Sequence, residues 1–261
     1  AMTVLLVDDD DNGPDVRAEY IAMVEAAGLL YEIYDTNNSN TEPTIEELQG
    51  YSLVIWFTGD EWGGFAGPGS AGEAALATFI SYGGHLVLSS QDYLYDNGLT
   101  DFGTNYLGIG SFQSDVAQTT ATGMSIFEDL GSVNLSYSYT NYSDEVSASS
   151  NALLSFSGNQ GDAGTHLDTV HGGGAVFLGF PLEAMDVSSQ QLFMSDVLEW
   201  SAGDTPEPCP GDCNGDGFVN VSDLLAIIEV WGSDSDCDVN GDGNIDVVDL
   251  LAVVGSWGAC P

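Results

Sequence analysis

The chain has 261 residues, with 41 Asp and Glu against one basic side chain, Arg17, and a formal net charge of −40. Neutralising phosphates takes clustered Lys and Arg, so nucleic-acid binding is excluded and an anionic membrane surface is disfavoured. No apolar run reaches the roughly 18 residues of a spanning helix, so membrane insertion is not expected. With 43% hydrophobic and 10% aromatic residues the chain can still build a packed core, in one or two domains. Charge of this density repels itself unless cations screen or bind it, which points to a saline, calcium-containing milieu.

In chain order, Thr3–Asp8 is a continuous apolar run ending in acids, and Asp15–Gly28 repeats apolar residues at helical spacing. Leu30–Tyr34 and Leu53–Thr58 are strand-like, Gly72–Tyr82 is helical before Gly83-Gly84, and His85–Ser89 is a fourth strand. Residues 111–170 are polar and rich in Gly, Ser and Tyr, and are expected to add antiparallel strands or a long excursion. Ala175–Phe180 is a further buried strand, and Ser188–Trp200 closes with a helix. Buried strands alternating with helices predict an α/β domain, a parallel sheet with helices on both faces. Asp204-Thr-Pro-Glu-Pro208 breaks this pattern, so the chain divides into residues 1–203, an extended linker at 204–208 and a tail at 209–261.

The tail repeats itself at a period of 26. Asp212-Cys-Asn-Gly-Asp-Gly-Phe-Val-Asn-Val-Ser-Asp223 aligns with Asp238-Val-Asn-Gly-Asp-Gly-Asn-Ile-Asp-Val-Val-Asp249. Oxygen side chains at positions 1, 3, 5 and 9, a glycine at 6 and an acid at 12 make the calcium loop of an EF-hand. Ca²⁺ is a hard cation that takes six to eight oxygens, and the glycine supplies the turn that wraps one loop around it. The ligands of the first loop are Asp212, Asn214, Asp216, the Phe218 carbonyl, Asn220 and Asp223. Those of the second are Asp238, Asn240, Asp242, the Asn244 carbonyl, Asp246 and Asp249. A third cation site is expected at Asp8, Asp10, Asn12 and Glu19, which keep a similar spacing, with Asp60 or Asp92 as helpers. The alternative is that Asp9–Asp11 and Asp15 merely cap the first helix and complement its dipole.

All four cysteines, Cys209, Cys213, Cys237 and Cys260, lie in the tail. That clustering suits disulfides in an oxidising compartment or thiolate metal ligands, and zinc is the weaker reading because no histidine is near. Four cysteines allow three pairings, among which the spacing does not choose.

An apolar helix is expected after each loop, at Leu224–Trp231 and Leu250–Trp257, with none before it. Two loop-helix units with Asp at position 12 resemble a type I dockerin, the calcium-dependent module that plugs into cohesin domains of extracellular assemblies. The resemblance implies two bound Ca²⁺, folding coupled to them, an extracellular or cell-surface location, and docking to a cohesin-like partner. In a self-assembling version the partner is a neighbouring copy, and such a head-to-tail contact propagates into a filament. Val221-Ser222 and Val247-Val248 stand where many type I dockerins carry Ser-Thr, so the docking face is more apolar here.

The body carries Val7-Asp-Asp-Asp10, Trp56-Phe-Thr-Gly-Asp60, Gly83-Gly-His-Leu-Val-Leu-Ser-Ser-Gln-Asp92 and Gly179-Phe-Pro-Leu-Glu183. Together these resemble flavodoxin-like domains of the class I glutamine amidotransferase-like superfamily, and more closely its non-catalytic members. The turn that carries the family's nucleophilic cysteine reads Ser89-Ser90-Gln91 here, so no enzyme activity is expected. Two other readings stay open. Ser90, His171 and Asp168 or Glu183 would make a hydrolase triad if the fold joined them. Trp56, Trp62, Phe65, Tyr137, Tyr139 and Tyr142 would stack on sugars in a glycan-binding module. The expectation is a secreted, non-catalytic, calcium-loaded assembly protein.

Overall fold

The computed structural model describes residues 3–37, 39, 41–202, 211, 213, 218–231, 237, 239 and 244–259. The chain divides into two compact units, Ala1–Ser201 and Ala202–Pro261. Residues 204–208, read from sequence as a linker, lie outside the described residues.

The body runs β1 (Thr3–Asp8), α1 (Arg17–Ala26), β2 (Leu30–Asp35), α2 (Ile45–Leu48), β3 (Leu53–Phe57), α3 (Ser70–Ser81), β4 (His85–Ser89), α4 (Tyr93–Asn97) and α5 (Asp101–Asn105). It continues through β5 (Ile109–Gln113), β6 (Thr120–Gly123), β7 (Ser132–Asn134), β8 (Glu145–Ala148), β9 (Leu153–Gly158), β10 (Gly161–Asp168), β11 (Gly174–Leu178) and α6 (Val187–Ala202). Nine of these strands form one sheet, ordered β2-β1-β3-β4-β11-β10-β9-β6-β7. The first five in that order are parallel. The other four join antiparallel, so the expected parallel sheet is only half of the sheet, and β5 pairs with β8 apart from it.

β3, β4 and β11 are buried at every position, as strands covered on both faces must be. Their side chains alternate between two cores. Ile55, Phe57, Val87, Val176 and Leu178 pack with Tyr20, Met23 and Val24 of α1 and with Phe193, Met194 and Val197 of α6. Val54, Trp56, Leu86, Leu88 and Phe177 pack on the other face with Leu48, Leu76, Phe79, Ile80, Leu94 and Phe102 from α2 to α5. Each fully buried Leu or Phe contributes roughly 1.5–3 kcal/mol relative to exposure.

The one arginine joins the ends of two strands. Arg17, at the start of α1, pairs with Asp8 at the end of β1 and with Asp35 at the end of β2. Replacing it with glutamine leaves these acids facing each other with no counter-charge, and Asp8 is almost fully buried. Arg17 and Asp35 are partly solvated, which reduces the effect. Arg17→Gln is therefore expected to cost about 2 kcal/mol and to lower the Tm of the body by roughly 4–8 °C in calorimetry. An unchanged Tm would show that the pair is merely decorative.

In the second unit, β12 (Phe218–Val219) precedes α7 (Val221–Glu229), and α8 (Val247–Gly255) precedes β13 (Gly258–Ala259), which pairs antiparallel with β12. Val219, Ile227, Cys237, Ile245 and Val253 form its core among the described residues. The sequence repeat is visible in space, since Val219 and Ile245, and Ile227 and Val253, are 26 positions apart. Both helices start three residues before the expected Leu224 and Leu250. The physical reason is capping: Asn220 and Asp246 are N-caps in a capping box, so the turn that closes each loop is already helical.

Candidate functional site

The described half of the two expected calcium loops is built from these caps. Asn220 Oδ1 accepts the Ser222 N–H at 2.8 Å while the Asn220 N–H donates to Asp223 Oδ2 at 2.8 Å. In the second loop, Asp246 Oδ1 accepts from Val248 N at 2.7 Å and Asp246 N donates to Asp249 Oδ2 at 2.8 Å. Position 9 of each loop is thus the N-cap and position 12 the third residue of the helix. Asp223 and Asp249 are both 0% exposed. Burying a carboxylate is costly unless it is hydrogen-bonded and its charge is compensated, which is what the twelfth ligand of a calcium loop requires. Phe218 opens β12, and Asn244 stands one residue before the core residue Ile245. Asp212, Asn214, Asp216, Asp238, Asn240 and Asp242 lie outside the described residues.

This donor set is all oxygen, carboxylate and carbonyl, and fits Ca²⁺ rather than a softer metal. Among the described residues no three His, Cys, Asp or Glu are arranged to hold a metal ion, and half of each loop's ligands lie outside them. Cys237 is buried in the small core with Cys213 packed against it, the Cys237 thiol 3.8 Å from the Cys213 carbonyl. Cys209 and Cys260 lie outside the described residues.

The opposite faces of α7 and α8 are apolar and exposed. Val221, Leu225, Ile228 and the following Trp231 recur 26 positions later as Val247, Leu251, Val254 and Trp257, all between 48% and 62% exposed. The helical members fall at i, i+4 and i+7, one continuous stripe per helix. Residues 210–256 match the family model of the dockerin type I domain. The dockerin domain therefore occupies the second unit, and it carries this stripe twice.

No curated protein sequence matches the chain. Solved structures share the fold of the body at low identity. The cytoplasmic protein STM3548 from Salmonella typhimurium is similar with a TM-score of 0.53 at 8% identity, covering 76% of this chain and 98% of that one. The mmIFT52 N-terminal domain gives 0.51 at 12%, covering 77% and 97%. The cytoplasmic protein STM1381 from Salmonella typhimurium LT2 gives 0.50 at 12%, covering 74% and 93%. These are likenesses of fold alone.

In the body, Asp8 and Asp10 of the expected third cation site have other partners. Asp8 is held by Arg17, and the two oxygens of Asp10 accept from Asn12 N at 2.8 Å and Val16 N at 2.6 Å. Asp9 is buried, accepting from Trp56 Nε1 at 2.9 Å and Gly67 N at 3.0 Å, and burial pushes its carboxyl up to about 8.

The serine triad does not assemble. Ser90 follows the C-terminal end of β4, and its Oγ accepts from Thr58 Oγ1 at 2.8 Å and from Tyr93 N at 3.0 Å. His171 lies at the other end of that strand, its carbonyl beside Gly83. Asp168 accepts from Trp200 Nε1 at 2.7 Å and sits 3.1 Å from His166 Nε2, while Glu183 accepts from Tyr20 and Tyr139. Of the aromatics, Trp56 is core and Tyr137 and Tyr139 are half-buried with their hydroxyls engaged. Trp62, Phe65 and Tyr142 are exposed.

Sequence reading missed a cavity of about 330 Å³ at the C-terminal ends of β3 and β4, where open α/β sheets bind ligands. Its walls include Asp60, Asp92, Asp115, Trp62, Tyr95 and Tyr142. Gln91 braces them, donating from Nε2 to Asp60 at 3.0 Å and to the Thr140 carbonyl at 3.1 Å and accepting from Tyr142 N at 3.0 Å. Four distant segments meet here, around residues 60–62, 91–95, 115 and 140–142, so no spacing announces it.

Proposed function

We propose that this chain is a secreted, calcium-loaded assembly protein whose dockerin domain docks its α/β body onto a cohesin-type partner. The observation that carries the reading is the duplicated apolar stripe. The two stripes expose eight large apolar side chains on a unit whose core, among the described residues, holds five buried ones. Contiguous exposed apolar surface of this kind marks an interaction face. The reading takes two Ca²⁺ in the dockerin loops and none at Asp8–Glu19, where Arg17 and the backbone engage Asp8 and Asp10. An extracellular setting suits a calcium-dependent dock, and among the described residues no helix is long and apolar enough to cross a membrane.

The body is taken as non-catalytic and flavodoxin-like. Its parallel strand order β2-β1-β3-β4-β11 supports that winding, and the hydrogen bonds around Ser90 support the absence of a nucleophile there. The likeness to non-catalytic glutamine amidotransferase-like domains rests on the cysteine-free turn after β4.

The test is binding to a panel of immobilised cohesin domains in millimolar Ca²⁺. Leu225→Asp with Leu251→Asp is expected to weaken capture by about 30-fold or more, because both copies of the stripe then carry a charge at their centre. Either substitution alone leaves one stripe intact and is expected to act far less. Binding that ignores the double variant would sink the docking face. Sedimentation of the chain alone addresses the neighbouring-copy version, which a monomer at all calcium and salt concentrations removes.

A further inference from the structure

The cavity at the ends of β3 and β4 has walls of one chemical kind. Its carboxylates, Asp60, Asp92 and Asp115, are acceptors, and the chain's single cationic side chain, Arg17, is engaged elsewhere by Asp8 and Asp35. Asp92 is 4% exposed and lines the cavity, yet its Oδ2 has no hydrogen-bond partner. Behind it Asp144 is fully buried, with Oδ1 accepting from Asp115 N at 3.2 Å and Oδ2 again unpartnered. A buried acceptor without a donor is costly, and here two lie in one place.

The aromatic wall is held ready. Trp62 sits in a loop whose Gly63 and Gly64 adopt φ of 95° and 97°, conformations that side chains rarely reach. Those glycines turn the loop so that the N–H groups of Gly63, Phe65 and Ala66 all donate to Asp96, at 3.2, 3.1 and 3.1 Å. Trp62 nevertheless remains 64% exposed at the cavity rim, with Tyr95 and Tyr142 across from it.

We propose that this cavity binds a primary ammonium group, whose N–H bonds donate to Asp92 and the carboxylates around it while the face of Trp62 covers its charge. An ammonium has three donors and no acceptor, which complements walls rich in acceptors. Trp is the strongest cation–π partner among the aromatics. Burial and the neighbouring Asp96, Asp115 and Asp60 push Asp92 up to about 7, and burial with Asp92 and Asp115 pushes Asp144 up to about 9. A bound cation relieves both. A divalent metal fits less well, since no three acids among the described residues are arranged to hold one. A neutral sugar could stack on Trp62 but would leave the carboxylate charge uncompensated.

Calorimetric titration of the full chain at pH 8, in fixed Ca²⁺ and constant ionic strength, tests this. The probes are Nα-acetyl-lysine methylamide and glucosamine, which carry the ammonium on an alkyl chain or a sugar ring, with Nα-acetyl-norleucine methylamide and glucose as uncharged counterparts. At least one charged probe is expected to bind and its counterpart not to. Trp62→Ala, at an exposed rim position, and the isosteric Asp92→Asn are each expected to weaken binding about tenfold or more. Equal binding of charged and uncharged probes, displacement by added Ca²⁺ or Mg²⁺, or no binding of either ammonium at millimolar concentration would overturn the proposal. Because Trp62→Ala leaves the core untouched, a misfolded Asp92→Asn does not blunt the test.

Discussion

Removing calcium with a chelator is expected to unfold the dockerin domain while the body stays folded. The second unit is small, and among its described residues only Val219, Ile227, Cys237, Ile245 and Val253 form the buried hydrophobic cluster. Domains of this size rarely hold together on apolar burial alone and commonly need a metal or disulfides. Here burial also places the carboxylates of Asp223 and Asp249 at the heart of the unit, and their charge must be met by a cation. Metal binding and folding are then one event. Far-UV circular dichroism should lose the α7 and α8 signal on chelation and regain it when Ca²⁺ is restored. The body's melting transition in calorimetry should be unchanged. Asp223→Asn separates the metal from the cap, since an amide oxygen can still accept from the Asn220 N–H but brings no charge. It is expected to weaken calcium binding by about tenfold or more, read by titration with a fluorescent calcium competitor. A second unit that keeps its helices in excess chelator would remove the coupling.

The body is expected to become less stable as the pH rises from 5 to 8.5, contrary to the usual acid lability of proteins. Burial raises Asp9 to about 8, Asp92 to about 7 and Asp144 to about 9, against 3.8 for an ordinary aspartate. Between those values the folded body holds protons that the unfolded chain has released. The stability they contribute is complete below the unfolded value, is drawn down steadily as the pH rises above it, and is gone once the pH has passed about 7 to 9. Each such group adds a slope of up to about 1.4 kcal/mol per pH unit. The Tm of the body should fall by at least about 10 °C across this range, and Asp9→Asn or Asp144→Asn should flatten the fall. The dockerin domain should behave in the opposite way, because its ligands must be ionised to hold calcium and acid strips the ion. Two calorimetric transitions moving apart as the pH changes would be the signature. A body whose Tm rises towards pH 8.5 would refute the account.

The parallel half of the sheet was legible because buried parallel strands read as nearly continuous apolar runs, and Thr3–Asp8 and His85–Ser89 match the observed strands end to end. The antiparallel half was not. β10 reads Gly-Asp-Ala-Gly-Thr-His-Leu-Asp, yet Ala163 to Leu167 are buried throughout. What buries it is close approach of small residues between two partner strands. A Cβ at Gly164 would lie 2.4 Å from Ser155 Oγ and 2.7 Å from the Phe177 carbonyl oxygen. No hydropathy pattern carries that information. The dockerin repeat was legible because its loop motif is local and recurs, and the Asn-x-x-Asp and Asp-x-x-Asp caps that begin α7 and α8 lie within the same motif. The cavity was invisible for the opposite reason, as Asp60, Asp92, Asp115 and Asp144 come together only through the winding of the chain.

The position of Arg17 has a consequence for how this chain meets a protease. Trypsin-like proteases select a basic side chain for their specificity pocket, and this chain offers a single one, locked between Asp8 and Asp35 at the head of α1. In the native body that bond is shielded by the same ion pairs that join the two strands. Within these 261 residues even a chain that opens fully presents one such bond, so residues 18–261 stay in one piece.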